Sequence, residues 1–503
     1  MRRQASLYLI VIGMFMLFIS GNFLTEGLAR VGVDNAVVSQ RMSEGLENFW
    51  LPSLNTPDNP DRSNYLPLGY WLESKWYAVF GTNSFLVEKF YSVLIFLILG
   101  VLVVWIWKLV GNSVSSGWLP LLCWLTIPLV SWSATSNLLE GTMTIFILLA
   151  VAFMHKGSHA SFVARTRLSL DKVAGRYRLG RTTWFVLAAL MMELAFLVKG
   201  FAGLFPLSFP LLYWLIVRRE RLLFPLYETA VILLVWFATL GIIVAFSPEV
   251  YNHLYDYLHN QMIGGVLHER TVASHFFILY AFLRQAVIPI AVIALLSMVR
   301  IKSKPFYHYL LFWRHKGKLT ADQQSRARMG WFYLCLGLSG IVPIMIGLKQ
   351  QEFYLVPTLP FFAIAMACLL FELVDDWIGM MNPLSRKVST ILGAIVFCIG
   401  VVLNLASIQR VSSNHDLLYD MKLMLPCLET DECVSVSPEL FEMPEVEEFF
   451  YRYKGITFDT GWDNTHLITL YSKPGMTPDN VQLSKHELAT RQYSLWHINK
   501  SDN

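Results

Sequence analysis

The strongest constraint on this chain is a series of apolar runs, each about as long as a bilayer is thick. A helix needs about 20 apolar residues to cross the hydrocarbon core. Eleven stretches qualify: 6–25, 85–109, 117–134, 139–155, 183–198, 201–217, 223–246, 276–299, 329–348, 353–374 and 388–409. In lipid the backbone must satisfy its own hydrogen bonds, so runs of this kind are helices. The pair around 183–217 is the least regular: each member is short, and Pro206 and Pro210 interrupt the second. Twelve or thirteen spans are the alternatives to eleven. Charged residues make up 15% of the 503, against about 25% in a soluble domain. The reading is an all-α polytopic membrane protein with about eleven transmembrane helices.

Basic residues set the orientation. Arg2 and Arg3 precede the first run, which is longer than a signal-peptide core and lacks a small-x-small cleavage site. The loop at 155–182 carries seven Lys or Arg residues and the loop at 300–328 carries eight. With eleven spans these fall on one side, so the N-terminus is expected in the cytoplasm and the C-terminus outside. The outer face then holds a loop at 26–84, a turn near 135–138, a loop at 247–275 and the tail from about 410. In the tail, "CVSVS" and "HLITLYS" predict strands, and "PEVEEFFYRYKG" predicts an amphipathic helix closed by Gly455. Residues 1–409 thus form a transmembrane domain, and 410–503 a small extracytoplasmic α/β domain. Cys427 and Cys433, in "LPCLETDECVSV", are close enough in sequence for a local disulfide. No Cys-x-x-Cys or Cys/His cluster suggests zinc. No Lys/Arg block marks a nucleic-acid footprint.

Polar residues collect at the outer face. Asp34 follows the first span in "VGVDNAVVSQRM". It is either the N-cap of a surface helix at 35–46 or a carboxylate held at the water–lipid boundary as a general base. Arg41, seven residues on, would share its helix face. Asn137 precedes Glu140 at capping-box spacing, so Glu140 is either a cap partner or a second functional carboxylate. In "NYLPLGYWLES", Pro67 holds Leu66 extended, and Tyr65 joins either an interfacial aromatic belt or a sugar-stacking surface. Lys199 and Lys349 either snorkel or pair with a phosphate. The loop "NQMIGGVLHERTVASHFF" brings His268, Arg270 and His275, with Arg270 a bidentate phosphate candidate. Its paired glycines predict mobility. Glu193 and Arg284 lie inside spans, where a charge costs at least about 2.5 kcal/mol, and they are expected to pair.

Together these residues resemble the GT-C superfamily of lipid-linked sugar transferases, nearest to the lipid A aminoarabinose transferase and the protein O-mannosyltransferases. "LPLGYWL" at 66–72 is similar to a "PPLGYWL" return, "FLVKG" at 196–200 to a "LTKG" hairpin, and "KQQEFYLVPTLPFFAIA" at 349–365 to a "K…Y-LLP" signature. The chain departs from the pattern at Asn35, where the family often has Glu, and at Thr135, where Arg is expected. Asn64 and Tyr65 stand in place of a Glu-Lys pair. The resemblance implies a membrane glycosyltransferase of the bacterial inner membrane. It implies a polyprenyl-phosphate-linked sugar donor and an acceptor hydroxyl on a lipid, glycan or protein. Asp34 would be the base and Glu140 a second catalytic carboxylate. Arg270, Lys199, Lys349, Tyr65 and Tyr354 would meet the donor. Asn35, Arg41, Asn64, His268 and His275 would line the cavity. No cofactor is implied with certainty; a divalent cation is left open. The competing readings are a polytopic transporter and an inactive scaffold of the same fold.

Overall fold

The apolar runs become helices throughout the computed structural model, which describes residues 4–52, 66–80, 84–167, 171–218, 221–246, 248–299, 319–379, 381–408, 410–470 and 481–500. Among the described residues, seven helical segments are long and apolar enough to cross a membrane. They are Phe85–Leu109, Leu139–Ser158, Gly180–Val217, Leu223–Phe246, Ala321–Ile346, Glu352–Glu372 and Pro383–Ala406. Three shorter apolar helices, Ala5–Phe18, Val114–Leu125 and Phe277–Ala291, match the remaining runs. The chain is an integral membrane protein. The difference from eleven is accounted for by these three shorter helices, the second of which ends before Pro128 starts a new helix, and by the runs at 183–198 and 201–217, which fall in one helical segment.

The chain forms two compact units. The larger comprises Met1–Ser20, Val93–Ala134 and Leu139–Asn404. Small residues let its first and last helices approach closely, since the sides of two helices in lipid gain most from backbone contact. A Cβ on Gly13 would stand 2.9 Å from the Phe397 nitrogen, and one on Gly400 would stand 2.8 Å from the Leu17 nitrogen. Asn404 Nδ2 donates to Met16 O at 2.9 Å across the same seam. The joined segment 180–217 is bent back on itself. Gly200 has φ +75°, and Gly203 packs on the Ala195 backbone eight residues earlier. The two runs are therefore antiparallel limbs of a hairpin, as "FLVKG" implied. The expected Glu193–Arg284 pair does not form. Arg284 pairs with Glu352, the first residue of helix Glu352–Thr358, while Glu193 is buried elsewhere.

The smaller unit comprises Gly21–Ser92, Thr135–Leu138 and Leu405–Asn503. Its sheet runs in the order β2-β1-β3-β5-β4, with β1 Cys433–Val436, β2 Thr457–Asp459, β3 His466–Leu470, β4 Val481–Lys485 and β5 Tyr493–Lys500. β1 is parallel to β2 and β3; β5 is antiparallel to β3 and β4. Helix Pro444–Lys454 connects β1 to β2 and ends at Gly455, whose φ of +70° is the expected left-handed cap. The buried Asp420 carboxylate accepts the N–H groups of Arg491, Gln492 and Tyr493 at 2.7, 2.6 and 2.9 Å, which fixes the start of β5. The anticipated disulfide between Cys427 and Cys433 is not formed in the structure. The turn between them is closed by other means. Asp431 N–H donates to Lys454 O at 2.9 Å, and Glu429 N–H donates to the Glu432 carboxylate at 2.7 Å.

Candidate functional site

Asp34 is not a helix cap. The helix runs Arg30–Ser43 with Ala29 at its N-cap, so the expected 35–46 boundary is corrected and Asp34 sits inside the helix. The helix extends further back because Gly32 lets it press on the chain at 135–138. A Cβ there would overlap Ser136 O. One Asp34 oxygen, Oδ1, is buried and accepts no hydrogen bond. Buried carboxylate oxygens are normally satisfied; this one has no hydrogen-bond partner among the described residues.

The residues around Asp34 fix the helix in place. Asn35 Nδ2 donates to Asn137 O at 2.9 Å. Asn137 has a left-handed φ of 52°, and its amide donates to Gly32 O at 3.2 Å and to Glu73 Oε1 at 2.6 Å. Ser39 Oγ donates to Glu73 Oε2 at 2.8 Å. Arg452 Nη1 donates to Gln40 Oε1 at 3.0 Å. Arg41 pairs with Glu47 at 2.9 Å and stands over the Tyr451 ring.

Behind this helix lies a buried polar chain that the sequence reading missed. Glu73, in helix Leu68–Phe80, is 0% exposed, as is Glu88. The Tyr77 hydroxyl bridges them, donating to Glu88 at 2.5 Å and standing 3.2 Å from Glu73. Arg452 forms a buried ion pair with Glu88. Burial, and then the neighbouring Glu88 charge, push the Glu73 carboxyl up to about 7. Burial, and then both carboxylates, push the Tyr77 hydroxyl well above its ordinary value. Glu73 thus keeps its proton to higher pH than an ordinary carboxyl and releases it near neutrality. The signal in the sequence was an acid at 73 on a helix expected only to present aromatics.

The larger unit gathers a second set. Glu140, in the first turn of helix Leu139–Arg167, is 1% exposed and ion-pairs with Lys199 Nζ at 2.5 Å. The carboxylate therefore meets a cation instead of closing a capping box. Lys199 ends the first limb of the hairpin, and its ammonium lies 5.3 Å from the Phe353 ring centroid and 5.8 Å from that of Tyr354. Gly200 is required there, because a Cβ would overlap the Tyr257 hydroxyl. Burial raises that hydroxyl to about 12, so it acts as a neutral hydrogen-bonding group.

The segment expected to be a loop at 247–275 is helical over 248–267. It forms helix Pro248–Asp256 and continues as a π-helix, Tyr257–Gly264. Gly264 and Gly265 have helical φ of −60° and −61°. Beyond them, Thr271 Oγ1 donates to Gln350 O at 3.0 Å, Gln350 Nε2 to His275 O at 3.1 Å, and His275 Nδ1 lies 3.0 Å from Met345 O. Lys349 pairs with Glu269 at 2.7 Å. Arg270 and His268 are exposed, and their side chains have no partner among the described residues. An apolar cleft lined by Phe282, Leu283, Pro289, Phe362 and Leu369 opens between helices Phe277–Val299 and Leu359–Gly379. Asn64 and Tyr65 lie outside the described residues.

No family model and no curated protein matches the chain. Among solved structures it is similar to ArnT from Cupriavidus metallidurans bound to undecaprenyl phosphate, with TM-score 0.60 and 13% identity over 97% of each chain. The apo state of the same protein gives 0.58 and 14%, again over 97% of each. The archaeal oligosaccharyltransferase AglB from Archaeoglobus fulgidus, in complex with an inhibitory peptide and a dolichol-phosphate, gives 0.48 and 12% over 93% of this chain and 70% of that one. At these identities the likeness concerns the fold alone, and the fold of this chain is similar to that of ArnT over nearly its whole length.

Proposed function

We propose that this protein is a membrane glycosyltransferase that moves a sugar from a polyprenyl-phosphate donor to a hydroxyl group. The observation that carries the reading is the Asp34 carboxylate, held on a braced helix with a buried, unbonded oxygen. That is the condition of a base awaiting an acceptor proton. The ArnT fold over 97% of the chain supports the donor class, since that relative was solved with undecaprenyl phosphate. In the proposed reaction the acceptor oxygen attacks the anomeric carbon as its proton passes to Asp34. The bond from that carbon to the phosphate oxygen breaks, and the phosphate leaves with the electron pair. A single displacement inverts the anomeric centre.

Arg270 is the proposed main phosphate ligand, because its guanidinium is exposed and uncommitted and can form a bidentate pair. Lys199 and Lys349 are each half-neutralised by a carboxylate, so they contribute field and position where leaving-group charge develops. Glu140 orients Lys199. The apolar cleft along Phe277–Val299 is the proposed seat of the prenyl tail. The expected orientation places this chemistry at the extracytoplasmic face of the inner membrane. The test is incubation of the purified protein with polyprenyl-phosphate-linked sugars and a hydroxyl acceptor pool. Formation of glycosylated product with release of polyprenyl phosphate supports the reading. Vectorial movement of the lipid without bond cleavage would replace it with transport.

A further inference from the structure

Three histidines that are remote in sequence meet on one face of the C-terminal sheet. His466 opens β3 and lies directly opposite His497 of β5. His497 also lies opposite Ser484 of β4. Side chains alternate between faces along a strand, so His486, two residues beyond Ser484, returns to the face of His497. The ring centroids are 5.8 Å apart for His466 and His486, 5.4 Å for His466 and His497, and 6.5 Å for His486 and His497. One ligating nitrogen from each lies within 4.8 Å of the other two. Around a tetrahedral zinc with Zn–N bonds of about 2.0–2.1 Å, two imidazole centroids fall roughly 5 Å apart. Small side-chain rotations close the remaining gap.

Two further observations point to a metal and not to chance clustering. The Glu432 carboxylate lies 2.6 Å from His466 Nδ1. Accepting that N–H fixes the tautomer and leaves Nε2 as a lone-pair donor, the arrangement by which metal-bound histidines are oriented. His486 Nε2 is buried and has no hydrogen-bond partner, a state that a neutral imidazole nitrogen seldom keeps without a ligand. His466 is 9% exposed while His486 and His497 are half-buried, so an ion has a route in from solvent.

We propose that His466, His486 and His497 bind a divalent transition metal of the zinc class, with Glu432 positioning His466 and the fourth coordination place open. Imidazole nitrogens favour zinc, copper or nickel over magnesium or calcium. The ion would join β3, β5 and the end of β4, which is the edge strand of the sheet. The site is independent of sugar transfer, because none of its residues takes part in the proposed reaction.

The experiment uses the full-length protein in detergent, stripped with a chelator and dialysed, then titrated with Co2+ and afterwards with Zn2+. The expected result is one Co2+ per chain, with the visible absorption of a nitrogen-ligated tetrahedral ion, displaced stoichiometrically by Zn2+. His486→Asn should abolish that spectrum. Glu432→Gln should keep the fold and weaken Co2+ binding by about 10–100-fold. The proposal is overturned if the wild-type protein takes up no stoichiometric ion, or if His486→Asn binds it as the wild type does. If His486→Asn does not fold, Glu432→Gln decides: unchanged affinity overturns the proposal.

Discussion

Glu73→Gln is the perturbation that separates a protonated buried acid from an ordinary one. Glu73 is fully buried, and its carboxyl is raised from 4.5 to about 7 by burial and by the Glu88 charge. A difference of about 2.5 pH units between folded and unfolded states corresponds to about 3 kcal/mol at 1.36 kcal/mol per unit. The sign follows from proton counting. Between pH 4.5 and 7 the folded state keeps a proton that the unfolded state has released, so stability falls as pH rises. The contribution is fully present below about 4.5 and is lost as pH passes through about 7. Glutamine mimics the protonated acid: its carbonyl can accept from Asn137, and its amide can reach Ser39 Oγ. It has no proton to lose. The apparent thermal and urea midpoints of both proteins should therefore be measured in detergent from pH 5 to 8.5. The variant should gain on the wild type from pH 5 to about 7, and the gap should then level off. Two parallel curves would show that Glu73 titrates normally, and the assignment of a raised carboxyl would be wrong.

Three other outcomes are expected. Arg452→Ala leaves Glu88 buried without its cation and should cost about 3–5 kcal/mol in unfolding experiments, whereas Arg452→Met combined with Glu88→Gln should recover most of that loss. Arg270→Ala should raise the donor KM about tenfold or more, as expected for a lost charge-assisted hydrogen bond, with Arg270→Lys restoring only part because the bidentate fork is gone. A reporter active only outside the cytoplasm, fused after Asn503, should be active in cells; activity of a cytoplasm-only reporter there would reverse the orientation read from the basic loops.

What the sequence disclosed was set by local physics. Runs of apolar residues have one solution in lipid, so the helices appeared where hydropathy placed them. The helix at Pro444–Lys454 and its left-handed Gly455 were legible because periodicity and cap lie within a dozen residues. Lys199 and Gly200 announced a hairpin that the structure contains. The failures are long-range. Glu73 looked like one polar residue on an aromatic helix; its partners Asn137, Glu88 and Arg452 are 64, 15 and 379 positions away, and no window of sequence joins them. The histidine cluster was invisible for the same reason, since it depends on strand register. The cap alternative for Asp34 fails because the helix starts earlier, at Arg30, where the contact of Gly32 with Ser136 holds it. Arg284 was paired with the nearest unexplained acid inside a span, but Glu352 at the end of a neighbouring helix lies in reach of its long side chain.

The central claim is that the unbonded carboxylate on Arg30–Ser43 is a base, and Asp34→Asn tests it most directly. Asparagine preserves size and polarity, and Asp34 caps no helix, so the fold should be unaffected. An amide lacks the proton affinity of a carboxylate. The measurement is the single-turnover rate of sugar transfer from a polyprenyl-phosphate donor, with the melting temperature recorded on the same samples. The account predicts an unchanged melting temperature and a rate lower by roughly 100-fold or more, the usual contribution of a general base. Transfer at the wild-type rate by a normally folded Asp34→Asn protein would contradict it.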